Sequence, residues 1–156
     1  AAEINGKLEA AIIYSPITDE MFTAERGKGS FLNDKRIRIA SRKKLSDSIL
    51  ITGIPHLGRG NKELFIKEMD KIIPEVAGIR RSGSAALDLA WIAAGRYDIF
   101  WERGLEIWDI AAGILLVREA GGFAKGIDGS EKNLWEGNIV AGNDDIINAL
   151  SEKLDF

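Results

Sequence analysis

Asp109 and Glu102 have the most chemistry to offer in this chain. They lie in the run Tyr97–Gly122, YDIFWERGLEIWDIAAGILLVREAGG. That run reads as a strand, a polar loop and a helix that opens on Asp109. Strand ends and helix mouths are where α/β proteins place their ligand sites. A carboxylate at a helix mouth has two uses. It can cap, accepting from the free N–H groups of the first turn. It can also bind a cation or a hydroxyl, because the helix field keeps it ionised, which suits a Mg2+ ligand. The two uses combine, since two oxygens offer several lone pairs. Glu102 precedes Arg103 and Gly104. It can form a surface ion pair with Arg103 or accept from substrate hydroxyl or amino groups. One acidic residue at a helix mouth cannot hold a catalytic metal, and the sequence offers no companion acidic cluster.

A third stretch, Ser82-Gly83-Ser84-Ala85, opens an earlier helix. Its serines are ordinary caps. The same arrangement offers free N–H groups, small side chains and a close-approach glycine to a polar ligand. His56 follows Pro55 in the loop GIPHLGRG, where a structural or exposed role is the simpler reading. Lys125–Ser130, KGIDGS, carries an Asp128-Gly129 hairpin signal between short strands and reads as a turn. Trp91, Trp101, Trp108 and Trp135 read as core and interface residues.

Composition removes whole classes of chemistry. The chain has no cysteine, which excludes disulfides and thiolate chemistry, and one histidine, which removes most His-centred metal sites. A net charge of −3 gives no electrostatic reason to expect nucleic acid. Basic residues cluster at Lys35–Lys44, which reads as a solvated face or turn. No apolar run approaches the ~20 residues of a membrane span. No charged-then-apolar signal segment opens the chain, so a cytoplasmic setting is expected. With 156 residues the length is that of about one domain. Ala1 leads almost at once into a strand hairpin, so the chain reads as a segment of something longer.

The elements that must position these residues fall into two groups. Residues 1–40 read as an antiparallel meander. Leu8–Tyr14 and Met21–Glu25 are its strands, with turns at Ser15–Glu20, Gly27–Gly29 and Asn33-Asp34, and polar–apolar alternation over Arg36–Ile39. Residues 45–156 alternate strand and helix. Strands are expected at Ser48–Thr52, Val76–Arg81, Tyr97–Trp101, Phe123–Lys125 and Asn138–Ala141. Helices are expected at Asn61–Ile73, Ser84–Ala94, Ile110–Ala120 and Ile146–Leu154. This order argues for a layered α/β sandwich, a mixed sheet covered by helices. Ala111, Ala112 and Gly113 would let one helix lie close on a neighbour.

The combined pattern resembles the inositol monophosphatase family, in particular its bacterial, extragenic suppressor protein-like branch. Trp108-Asp109-Ile110-Ala111-Ala112-Gly113, continuing to Glu119-Ala120-Gly121-Gly122, is similar to that family's C-terminal motif. YSPITDEMFTAERGKGSFLND resembles its strand hairpin after the active-site loop. RRSGSAALDLAWIAAGRYDIFWERG and LWEGNIVAGNDDI resemble the segments that follow. The resemblance runs over essentially the whole chain and implies the C-terminal part of the inositol monophosphatase and sugar phosphatase fold.

The resemblance also implies a Mg2+-dependent phosphomonoesterase. Asp109 would bind metal and contact substrate hydroxyls, Glu102 would contact the sugar or inositol ring, and Gly83, Ser84 and Ala85 would line the substrate pocket. The substrate would be a small phosphate monoester. Inositol 1-phosphate is the favoured one, while fructose 1,6-bisphosphate, 3′-phosphoadenosine 5′-phosphate and histidinol phosphate are handled by related enzymes. A homodimer is implied for the parent. The family's upstream metal ligands, a Gly-Glu-Glu stretch and an Asp-Pro-x-Asp-Gly-Thr loop, do not occur here. The chain alone is therefore expected to be inactive or nearly so, and prone to self-association through faces that the preceding elements would cover. The alternative is a non-catalytic regulatory or binding module acting through a protein partner.

Overall fold

The computed structural model describes residues 1–58 and 60–154. The chain begins with a meander: β1 (Ala2–Ile4), β2 (Lys7–Ser15), β3 (Glu20–Glu25), β4 (Gly29–Leu32) and β5 (Lys35–Arg36). All neighbours in this sheet are antiparallel, with Ile13 opposite Phe22 and Tyr14 opposite Met21. The pleat puts Ala11, Ile13, Phe22 and Ala24 on one buried face. Ile12, Tyr14 and Met21 take the other face and are exposed.

The second sheet holds β6 (Ile49–Thr52), β7 (Gly78–Arg80), β8 (Ile99–Glu102), β9 (Phe123–Gly126) and β10 (Ile139–Gly142). Their order is β7-β6-β8-β10-β9. β6 runs parallel to β7 and β8, while β10 is antiparallel to β8 and β9. The sheet is mixed, as the alternation of elements requires.

Helices cover both of its faces. α2 (Ala85–Ala93) and α3 (Ile107–Glu119) lie between the two sheets, against Ile51, Phe100 and Ile139 on one side and Ile13 and Phe22 on the other. Leu50, Ile99, Trp101 and Val140 point the opposite way. They pack with Ile72 of α1 (Lys62–Ile72) and with Ile146, Ile147 and Leu150 of α5 (Asp144–Ser151). Strands buried on two faces have no polar side to offer, which is why β6, β8 and β10 read as continuous apolar runs. Gly113 sits where any Cβ would collide with the Leu89 side chain, so α2 and α3 approach as the small-residue run anticipates.

Several expectations change. α3 begins at Ile107, not Ile110, because Glu106 is its N-cap and Asp109 occupies the third helical position. Past Arg36 the alternating segment does not continue as a strand. It crosses instead to the end of α3, with Ile37 N–H donating to Ser30 O at 2.9 Å and Ile39 N–H to Ala120 O at 3.3 Å. Asp128-Gly129 does turn the chain, but into a short helix, α4 (Glu131–Trp135), before β10 returns beside β9. Ser130 caps that helix by accepting from Asn133 N–H at 3.1 Å. The basic run at 35–44 is largely exposed, yet Arg42 donates at 2.8 Å to Asp98, which is 2% exposed. Trp101 is buried and stacks on Phe65 at 5.4 Å, while Trp108 is 75% exposed and so is not a core residue. No helix among the described residues is long and apolar enough to cross a membrane.

Candidate active site

β6 and β8 are parallel neighbours and finish side by side, Thr52 opposite Trp101. The Thr52 hydroxyl donates to Trp101 O and ties the two ends together. α2 and α3 present their N-termini at the same edge, so that strand ends and helix mouths enclose one cleft of about 250 Å³. This is the position at which open α/β sheets bind ligands.

Gly83, Ser84, Ala85, Glu102 and Asp109 all line this cleft. They arrive from three separate segments. Gly53, just after β6, makes room for Glu102: a Cβ there would overlap the Glu102 carboxylate. Arg103, the neighbour of Glu102, reaches Glu68 on α1, which is fully buried. A buried carboxylate of this kind needs its cation, and breaking such a pair costs several kcal/mol, roughly 3–5. The pair therefore holds α1 against the end of β8 and stiffens one wall of the cleft.

Asp109 does cap α3, but from inside the helix. Its Oδ2 accepts from Glu106 N–H at 3.1 Å. At the α2 mouth, Ser84 Oγ accepts from Leu87 N–H at 3.5 Å and Ser84 O from Asp88 N–H at 2.9 Å. The N–H groups of Ala85 and Ala86 have no acceptor among the described residues, as first-turn amides do unless something is brought to them.

Behind them lies Asp88, 1% exposed. Burial pushes its carboxyl up to about 6, against the pull of the Ser82 hydrogen bond and the Arg81 charge. Asp88, Glu68 and Gly53 all border the cleft and were not singled out from sequence. Asp88 carried one signal: it is an acidic residue inside the otherwise apolar stretch Ala85–Ala93. Gly53 and Glu68 carried none, because their partners are far away in sequence. His56 also borders the cleft and is exposed.

Carboxylates facing N–H donors across a small cleft suit a ligand that carries several hydroxyls and an anionic group. The same residues do not by themselves suit Mg2+. Among the described residues no three His, Cys, Asp or Glu side chains come together as a metal-holding group.

Residues 1–155 match the inositol monophosphatase family. The chain belongs to that family. An inositol-1-monophosphatase of Rhizobium meliloti (strain 1021) is 55% identical over 154 residues, which are 99% of this chain and 58% of that protein. The Nus factor SuhB of Pseudomonas aeruginosa is 46% identical over 96% of this chain and 56% of its own length. The crystal structure of the extragenic suppressor protein suhB from Bartonella henselae superposes with a TM-score of 0.94 at 50% identity, covering 98% of this chain and 58% of that one. This inositol monophosphatase family member thus spans somewhat more than half the length of these relatives, and its α/β architecture is theirs.

Proposed function

We propose that this chain supplies one side of the active site of a Mg2+-dependent phosphomonoesterase acting on inositol monophosphate or a related sugar phosphate. The observation that carries the reading is the convergence of Gly83–Ala85, Glu102 and Asp109, three segments of the family pattern, on one cleft. In this reading Glu102 accepts hydrogen bonds from ring hydroxyls, and the α2 entry turn donates to an oxygen of the substrate. Asp109 holds position through Glu106 N–H and, from the cleft wall, would meet substrate and metal. Mg2+ would be held by Asp109 together with acidic residues from outside this chain, since it usually takes one or two carboxylates plus waters and substrate phosphate. The reading includes a homodimer and a cytoplasmic setting, as the family resemblance implies.

Phosphate release from inositol 1-phosphate with Mg2+ tests the reading. The 156-residue chain alone is expected to release none. Joined to the remaining portion of a family member it should turn over, and Asp109→Asn should abolish that turnover. Failure of the joined protein to release phosphate would overturn the assignment. A second reading, a non-catalytic module acting through a protein partner, is favoured by the Nus factor name of the Pseudomonas relative. Metal-independent capture of a specific protein, unchanged by Asp109→Asn, would support it.

A further inference from the structure

The α2 entry turn is held by a closed ring of hydrogen bonds. Ser82 Oγ donates to Asp88 Oδ1. Ser84 N–H donates to that same Ser82 oxygen at 3.1 Å. Asp88 N–H donates to Ser84 O at 2.9 Å. The ring starts and ends on Asp88 and encloses Gly83, whose φ of +96° places it in the left-handed region. Glycine enters that region without strain but is equally free to leave it, so holding one conformation takes support from the surroundings. The support here comes from a carboxylate that is 1% exposed and anchored in the first turn of α2.

The ring also fixes which donors face the cleft. Ser82 takes the Ser84 amide and Asp88 takes the Ser82 hydroxyl, so neither is offered outward. The amides of Ala85 and Ala86 remain, at the wall of the cleft. A buried carboxylate is an expensive way to hold a surface turn, because ionised groups resist leaving water.

We infer that Asp88 is a positioning residue, acting through Ser82 to hold the Gly83–Ala85 turn in the geometry that receives a polyhydroxylated phosphate ester. The inference rests on the proposed function for the identity of the ligand. The ring itself does not depend on that reading.

The test uses the full 156-residue chain for amide hydrogen exchange and the joined protein with Mg2+ for the KM of myo-inositol 1-phosphate. Ser82→Ala and Asp88→Ala are each expected to speed exchange at the Ser84 amide about tenfold, as loss of a hydrogen bond linked to a charged group implies. Exchange at Leu89–Ala93 should stay unchanged. The double variant should add little, because both residues belong to one ring. Asp88→Asn, whose carbonyl oxygen still accepts from Ser82, should restore the wild-type exchange rate. The same single alanine variants should raise that KM about tenfold, with Asp88→Asn again recovering it. Ser82→Ala leaves the buried position intact, so the ring remains testable if Asp88→Ala fails to fold. Unchanged exchange at Ser84, or an increase shared with Leu89–Ala93, would overturn the inference. An unchanged KM in alanine variants that do loosen the turn would also overturn it. Failure of the wild-type joined protein to turn over inositol 1-phosphate would count against the proposed substrate instead, with the exchange pattern still deciding the ring.

Discussion

Two glycine turns in this molecule use a carboxylate in opposite ways. At the β3–β4 turn, Glu119 reaches from the last turn of α3 and accepts from Gly27 N–H at 2.8 Å and Gly29 N–H at 2.9 Å. Both glycines have positive φ, +76° and +95°. The turn is an anion cradle, and the protein fills it with its own side chain. At the α2 entry turn Gly83 has nearly the same φ, +96°. There the carboxylate, Asp88, stands one step back and binds the Ser82 hydroxyl, leaving the Ala85 and Ala86 amides to the cleft. The first turn joins two layers of the fold. The second is held rigid while its donors stay available. Where the carboxylate sits relative to the amides decides whether such a turn serves structure or a ligand.

The comparison is most strongly sharpened on the ligand side. In the joined protein, Asp109→Asn should lower turnover at least about 100-fold, as loss of a group meeting charge at the reacting centre does. Its midpoint of thermal unfolding should move little, because the amide oxygen still accepts from Glu106 N–H. A large stability loss with turnover retained would place Asp109 with Glu119 as a purely structural carboxylate.

The second effect is on stability and pH. The Asp88 carboxyl is raised to about 6 by burial. A raised folded-state value means that the native state holds its proton where the unfolded chain has lost it. Stability from this group is therefore fully present below about pH 4 and lost as pH rises through about 6. The amount is on the order of 3 kcal/mol. Denaturant unfolding between pH 4 and 7 should show this fall in the wild type and not in Asp88→Asn. An identical pH dependence in both would show that Asp88 titrates normally.

The smallest effect is at the closed turn. Glu119→Gln should cost about 2 kcal/mol, because one of the two N–H groups then faces an NH2 that cannot accept and the other bond loses its charge, at a partly exposed site. It should leave turnover of the joined protein unchanged. A loss of turnover equal to that of Asp109→Asn would erase the distinction between the turns.

Local order along the chain was legible wherever one chemical choice dominates the backbone. Doubly buried strands announce themselves as apolar runs, helix α2 opens on a serine, and Gly95 closes it with a φ of +70°. The close packing of α2 on α3 was visible in Ala111-Ala112-Gly113. The start of α3 was misjudged because both Glu106 and Asp109 can cap, and only the path of the incoming loop chooses between them. Of the core and interface roles read for the tryptophans, Trp108 does not take the core one: an aromatic side chain signals burial on average, but its face of α3 lies at the surface.

The sequence by itself determined the family pattern, the order of strands and helices, and the residue types at Gly83–Ala85, Glu102 and Asp109. These are local matters of dihedral preference, periodicity and side-chain chemistry. Only the tertiary structure decided that Glu119 serves Gly27 and Gly29, that Gly53 clears space for Glu102, that Glu68 anchors Arg103 and that Asp88 closes a ring through Ser82. Most of these contacts join residues far apart along the chain. Sequence cannot supply such pairings, because the hydrogen bond or ion pair exists only once layer packing has brought both groups out of water and within reach of each other.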